Sequence, residues 1–500
     1  MMLLDAVKTV IDKVKNQIIQ RPLAYRLARG AFWSIIGAAI SRGLLFLSTI
    51  IVARILGKYD YGRLDIVQNT ILTFQVFTGF GLGLMATKFI AEFHRKDPLK
   101  TGRIIALSSL IGMATGLIGA LIMILLAQWL ATQILADTQL QMMLRVGAIS
   151  IFFSAMNGAQ TGALAGFEAF KAIAKVNTIA GILSFPMIAG GVYFGGIYGA
   201  VWGFAASQFV NWLINHLVLR SVMAQANIPM VFSGLQSELP NIWGFALPTI
   251  LSEVLVTPVN WICRTLLVNQ PDGFAELGLY AAGLQVATII SSVVIVLGAP
   301  LLPILSEQRM GSKSETAQYY NIFFFWLLSL MMVLPLMAFP EVIGWLFGSQ
   351  FAGEQSSKVF TLILFFTLIN SFKRGLSNTL IATSRMWWGF ASNTFWGMLV
   401  LGLFWFLVKY GALGFAISVT IAYVINTLVF LPLYLRTGLV PKATLISADT
   451  GIIWGAVLII LASSLALSPW QLRIVVATIC AIIVAFRVKK LVLRRTVLGE

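Results

Sequence analysis

Four ionisable side chains lie deep inside long apolar runs, where each charge carries an insertion penalty of at least about 2.5–3.5 kcal/mol and so calls for a role. Arg42, Lys373 and Arg374 are cations and Glu253 is the single carboxylate, which leaves positive charge in excess. A surplus of cations away from water is chemistry for an anion, because guanidinium and ammonium groups there pair with phosphate or carboxylate through short, charge-assisted hydrogen bonds. The competing reading is that these are interhelical ion pairs, for instance Arg42 with Glu253. Around Lys373, the residues Asn370, Arg374 and Ser377 fall within about 100° at 3.6 residues per turn, forming one cationic, hydrogen-bonding face. Asp65, Gln68, Asn69 and Gln75 make a second polar stripe, with Asp65 near the end of its run, where it could pair with Arg54 or Arg63. Glu253 stands between Pro248 and Pro258, with Arg264 only about 20° away in azimuth. Two prolines around a buried carboxylate suggest a kinked helix that could flex or hold a small cation.

Such side chains need elements that hold them inside a bilayer. The chain has 500 residues, 59% hydrophobic and 11% charged, against about 45–50% apolar and 25% charged in soluble domains. That balance excludes a soluble enzyme, a secreted disulfide scaffold and a nucleic-acid binder. The net charge of +17 is the basic bias of cytoplasmic loops rather than a nucleic-acid footprint. Breaking the sequence at polar and Gly/Pro clusters leaves fourteen apolar stretches, each near the length of about 20 residues that crosses the hydrocarbon core. They are predicted helices, since lipid tolerates no unpaired backbone and the stretches lack the alternation of barrel strands. The fold class is all-α, a polytopic membrane protein.

The expected organisation is an N-terminal segment 1–29, a first group of six helices over 30–220, a linker 221–241, a second group of six over 242–436, and two further helices with a basic tail over 437–500. Most of the 35 Lys and Arg fall on one side of this arrangement, which puts both termini in the cytoplasm. Leu3, Leu4, Val7, Val10, Ile11 and Val14 recur at helical spacing among Lys8, Lys13 and Lys15, the pattern of an amphipathic helix on the inner leaflet.

The two groups of six align without gaps at an offset of 216 residues. Gly57 and Gly62 fall on Gly273 and Gly278, Asn177-Thr178 on Asn393-Thr394, Gly181 on Gly397, Gly195 on Gly411 and Arg220 on Arg436. An even number of crossings per copy keeps both copies in one orientation, related by a pseudo-two-fold along the membrane normal, with a cleft between two lobes that can rock in alternating access. At the same offset the Lys373 face lands on Ser154, Asn157, Gly158 and Thr161, so the face is polar in both copies and cationic in one.

Catalytic signatures are missing. There is no G-x-x-x-x-G-K-[ST] and so no nucleotide hydrolysis by this chain. His94 and His216 are the two histidines and no H-E-x-x-H occurs, while Cys263 and Cys480 sit in apolar runs, which leaves no expected metal, disulfide or cofactor. The expectation is a non-enzyme whose small-ion requirement, if any, is a coupling proton or sodium.

The run Ala28-Arg29-Gly30-Ala31-Phe32-Trp33, followed by Val52-Ala53-Arg54-Ile55-Leu56-Gly57 and Tyr61-Gly62, resembles the opening of the polysaccharide-biosynthesis (O-antigen type) lipid-linked oligosaccharide flippases. That family belongs to the multidrug/oligosaccharidyl-lipid/polysaccharide exporter superfamily, with the multidrug-and-toxin extruders and the lipid II flippases. The resemblance implies movement of an undecaprenyl-diphosphate-linked oligosaccharide from the inner to the outer leaflet of a bacterial plasma membrane, driven by an ion gradient, through a cationic central cavity. Arg42 matches the family's basic residue in the first helix, and the last two helices resemble those that hold the lipid tail in lipid II flippases. On that reading the diphosphate meets Arg42, Lys373 and Arg374. The sugars meet Asn157, Gln68, Asn69, Asn370, Ser377 and aromatic rings, and Glu253, Asp65 and Arg264 serve coupling or gating. The partners would be the lipid-linked substrate, membrane lipids and other polysaccharide-assembly proteins. A cation-drug extruder of the same superfamily is the alternative and predicts carboxylates in the cleft. A membrane polymerase or ligase would need a large outer loop, and the longest loop here is the short Arg220 to Asn241.

Overall fold

The computed structural model describes residues 22–79, 81–238, 255–298, 314–382, 385–437, 447–466 and 469–497, and these contain helices and turns but no strand. Most of the N-terminal amphipathic segment, Glu253 with its two flanking residues, and part of the linker lie outside the described residues. In chain order the helices are α1 (Pro22–Gly79), α2 (Leu82–Phe93), α3 (Pro98–Trp129), α4 (Leu140–Gly166), α5 (Phe170–Gln225), α6 (Val256–Val268) and α7 (Gly273–Gly298). They continue with α8 (Ser314–Ala338), α9 (Glu341–Phe347), α10 (Glu354–Ala382), α11 (Met386–Leu407), α12 (Gly411–Arg436), α13 (Ala448–Leu465) and α14 (Trp470–Val497).

Among the described residues, nine continuous stretches are long and apolar enough to cross a membrane, and three of them run 57, 56 and 50 residues. At about 1.5 Å per residue the shortest of those three would reach about 75 Å, far beyond a hydrocarbon core of about 30 Å, so each must turn back. The turns fall at glycines with positive φ: Gly57 (71°), Gly196 (55°) and Gly411 (61°). At Gly196 the reversal is tight, because an added Cβ on Gly191 or Gly199 would meet the other's carbonyl oxygen at 2.3 and 1.9 Å. Counting each doubled stretch twice and taking α8 and α9 as one span bent by 86° gives thirteen crossings among the described residues; α6, with 13 described residues, stands where the expected seventh lies.

The two six-helix groups meet at the Gly57 end of the molecule. Gly62 of α1 and Gly278 of α7 cross backbone to backbone, and a Cβ on either would stand 1.8–1.9 Å from a carbonyl oxygen of the other helix. These two glycines are counterparts at the 216-residue offset, so the pseudo-two-fold passes between them. Beside the crossing, Tyr59 packs edge-on to Phe274 at 5.6 Å. The Lys58 amide donates to Gln350 Oε1 at 3.2 Å, and Arg54 donates to the carbonyls of Leu346 and Trp345 at 2.8 and 2.9 Å. Among the described residues the contact between groups runs chiefly from α1 to α6, α7 and α9. Away from this end, α2 to α5 pack within their own group.

The last two helices are fastened to the second group. Trp454 of α13 stacks on Trp326 of α8 at 5.4 Å and meets Phe372 of α10 edge-on at 5.6 Å. Ser464 donates to the Met337 carbonyl at 2.7 Å, and Arg473 of α14 pairs with Glu341 of α9 at 2.8 Å. The Asp449–Arg487 pair at 3.0 Å ties α13 to α14.

Candidate functional site

Helix α10 is the most buried of the candidate spans, with 83% of its apolar window inside the protein. Between Val359 and Leu380 its exposed residues are Asn370, Arg374 and Ser377, and Lys373 beside them is half-buried. A lipid-facing side would expose apolar groups, so this polar strip looks onto protein or water-filled space. The sequence-derived face is therefore the open side of an otherwise closed helix. Lys373 donates to Asn426 Oδ1 of α12, and its ammonium lies 5.8 Å from the Tyr423 ring centroid. Asn426 is fully buried and is itself fixed by Ser392 of α11, donating to that residue's carbonyl at 2.9 Å and accepting from its hydroxyl at 3.1 Å. The ammonium is thus held by neutral dipoles and a ring face, and no described carboxylate neutralises it.

Arg42 is half-buried on α1, next to the point where Ser41 meets Gly181. Neither Arg42 nor Lys373 has a carboxylate in ion-pair contact among the described residues. Arg42 lies about 22 Å along its helix from Gly57, and Lys373 about 28 Å along α10 from Glu354, at 1.5 Å per residue. They belong to different six-helix groups at similar depth.

The repeat partner of Lys373 behaves in parallel. Asn157 of α4 is buried, accepts from Asn215 Nδ2 at 3.3 Å and donates to the Gln208 carbonyl at 3.4 Å, both on α5. In each copy, then, this position bonds to the last helix of its own group, as a cation in the second copy and an amide in the first.

Asp65 and Arg264 require a correction. Asp65 pairs with neither Arg54 nor Arg63; its Oδ2 accepts from Arg264 Nε at 2.9 Å across the two groups, with both side chains about nine-tenths buried. Arg63 is instead occupied by Asp60 at 3.1 Å, Asp137 at 2.8 Å and Gln139 at 2.8 Å, and Arg54 by the α9 carbonyls. Chain proximity favoured Arg54 and Arg63, but the crossing at Gly62 and Gly278 brings α6 closer to Asp65 than its own turn. One residue layer further in, Trp261 Nε1 donates to Thr70 Oγ1 at 2.9 Å. These contacts join the two groups near the Gly57 end, with Asp65 about 12 Å along its helix from Gly57, roughly half the distance of Arg42. Of the remaining candidates, Asn69 is spent on the Asp65 carbonyl of its own helix at 2.9 Å, and Gln68 is half-buried. Glu253 lies outside the described residues.

Asn426, Ser392, Asn211, Asn215 and Trp261 were missed in the sequence. A lone Asn in the apolar run of α12, and Gln/Asn recurring at 208, 211 and 215 on one helix, were the available signals.

Among proteins of known name, the EPS I polysaccharide export inner membrane protein EpsE of Ralstonia nicotianae is 24% identical over 409 residues, covering 78% of this chain and 89% of that protein. Among solved structures, a multidrug-resistance MATE family transporter of the MOP superfamily, in an inward-facing conformation, matches with a TM-score of 0.68 at 16% identity over 81% of this chain and 98% of that one. A MOP superfamily transporter from Pyrococcus furiosus, described as having a binding pocket of reverse polarity, matches at 0.64 and 16% identity over 84% and 96%. The fold is that of the MOP-superfamily transporters. A family model described as polysaccharide biosynthesis protein matches residues 27–310, more than half of the sequence, and the chain belongs to that family.

Proposed function

We propose that the protein is a flippase that carries an undecaprenyl-diphosphate-linked oligosaccharide from the inner to the outer leaflet of a bacterial plasma membrane by alternating access. The observation that carries the reading is the Lys373 ammonium: deep in the most buried span, caged by Asn426 and Tyr423, and matched by no carboxylate among the described residues. A cation within the membrane span that no described carboxylate neutralises, on the open side of a helix, is a site for an anionic headgroup, and Arg42 contributes a second cation from the opposite group. The name of the EpsE relative, a polysaccharide export protein, agrees with such a cargo.

With both termini cytoplasmic, the Gly57 end is the outer end, and the contacts from Gly62 to Thr70 are an outer gate closed over a cleft that opens inward. Asp65 and Arg264 act there as the gate's ion pair, and Glu253 is assigned the coupling proton or sodium. A cation extruder would need a carboxylate free to meet its cargo, whereas Asp65 is already neutralised by Arg264.

The test is surface polysaccharide in cells relying on this chain. Lys373→Gln and Arg42→Gln should each lower export about ten- to hundredfold, the loss of one charged hydrogen bond worth about 1.5–3 kcal/mol, while the lipid-linked glycan accumulates on the inner leaflet. Unchanged export in both variants refutes the headgroup role. Glu253→Gln that exports normally with the gradient intact and with it collapsed removes the coupling role.

A further inference from the structure

The seam between α4 and α5 carries a cluster of amides that the cationic site does not use. Gln208, Asn211 and Asn215 form one strip along α5, spaced three and then four residues apart. The exposed apolar side chains of the same helix, Trp202, Phe209, Leu213 and Leu217, centre on a direction about 135–165° away from the strip at about 100° per residue. The amides are therefore turned away from lipid. Asn215 Nδ2 donates to Asn157 Oδ1 at 3.3 Å and to Asn211 Oδ1 at 3.0 Å, which fixes the strip to α4. Beside it on α4, Ser154 is half-buried and Thr161 exposed. The side chains of Gln208, Ser154 and Thr161 make no hydrogen bond to any described residue, so donors and acceptors remain unspent within a membrane-spanning seam.

No charged side chain belongs to this cluster. It lies about 18 to 28 Å along α5 from Gly196 at 1.5 Å per residue, a depth comparable with that of Lys373. An anion gains little from it, since each amide offers a carbonyl beside its N–H groups. A polyhydroxylated neutral group gains more, because a side-chain amide can donate to one hydroxyl and accept from its neighbour.

We infer that the Gln208–Asn211–Asn215 strip, with Asn157 and Thr161, is a neutral subsite for the hydroxyl groups of the first sugar of the lipid-linked glycan, in the opposite six-helix group from the cationic subsite at Lys373. The duplicated position 157/373 has thus divided the labour: the amide copy reads sugar and the ammonium copy holds phosphate. This inference rests on the flippase reading and adds a site to it.

The experiment measures binding of two lipids to the full chain in nanodiscs: undecaprenyl diphosphate, and the same lipid carrying one N-acetylglucosamine. The wild type should prefer the glycosylated lipid by about fivefold, the scale of one neutral hydrogen bond. Gln208→Leu combined with Asn211→Leu should reduce that ratio to about one, while Asn211→Gln, which keeps an amide, should retain most of it. Thr161→Val, at an exposed position with no packing to lose, should lower the ratio independently. A ratio that stays the same in the double variant and in Thr161→Val, or a wild type that binds both lipids equally, overturns the sugar subsite and leaves the flippase reading standing. A wild type that binds neither lipid overturns both.

Discussion

The Asp65–Arg264 pair shows what a single side chain does in this molecule. Two charges removed from water are stable only together, and deleting one partner of such a buried pair costs about 3–5 kcal/mol, whereas replacing both by apolar groups is often neutral. Arg264→Leu should therefore lower the thermal unfolding temperature of the purified protein sharply, and the double change Asp65→Leu with Arg264→Leu should recover most of the loss. Equal damage from the single and the double variant would mean that the pair is not coupled. Lys373 has a different character, because its partners are dipoles; changing it should cost export far more than stability. At this scale the sequence revealed which residues were out of place but not their companions. Arg42, Lys373 and Asp65 stood out because charge in an apolar run is rare. The Arg264 partner of Asp65 lies 199 positions away, and nothing local in the sequence encodes that distance.

Helices and their crossings were more legible. Thirteen of the fourteen expected crossings appear among the described residues, because bilayer thickness sets a length that composition reveals directly. Polar residues continue some helices past the apolar runs: α3 starts at Pro98, before the apolar run that opens at Ile104, and is capped by Asp97 Oδ1 accepting from the Lys100 amide at 2.8 Å. The bend of 86° between α8 and α9 lay hidden in what read as one run. The repeat was legible because glycines at a crossing cannot drift: a Cβ on Gly62 would stand 1.8 Å from the Phe274 carbonyl oxygen, and only a parting of the helices relieves that. Gly62→Val should then force the two groups apart at the Gly57 end, the outer gate of the proposed mechanism. In a cysteine-substituted protein carrying Thr70→Cys, a water-soluble maleimide should label that position several times faster in the Gly62→Val background, and equal rates would contradict the gate.

For the molecule as a whole, the alternating access proposed above requires the two groups to part at the Gly57 end. Lys58 and Gln350, joined by a hydrogen bond across the two groups, offer a place to prevent it. Lys58→Cys with Gln350→Cys, bridged by a short bis-methanethiosulfonate, should abolish export, and a reducing agent should restore it. Export that continues through the bridge would show that this end never separates. The Lys373 site is half legible in the same sense: its polar face followed from helical period, while the amide strip on α5 acquires meaning only once α4 is laid against it. The meeting of Gly62 with its own counterpart reaches further. A residue that touches its duplicate on a two-fold axis is the mark of a symmetric pair of identical subunits, here joined end to end in one polypeptide. Two identical subunits would carry the same side chain at both copies of every position, whereas one polypeptide can place an amide at 157 and an ammonium at 373. The cargo proposed above, charged at one end and hydroxylated at the other, asks for that inequality between two otherwise matching halves.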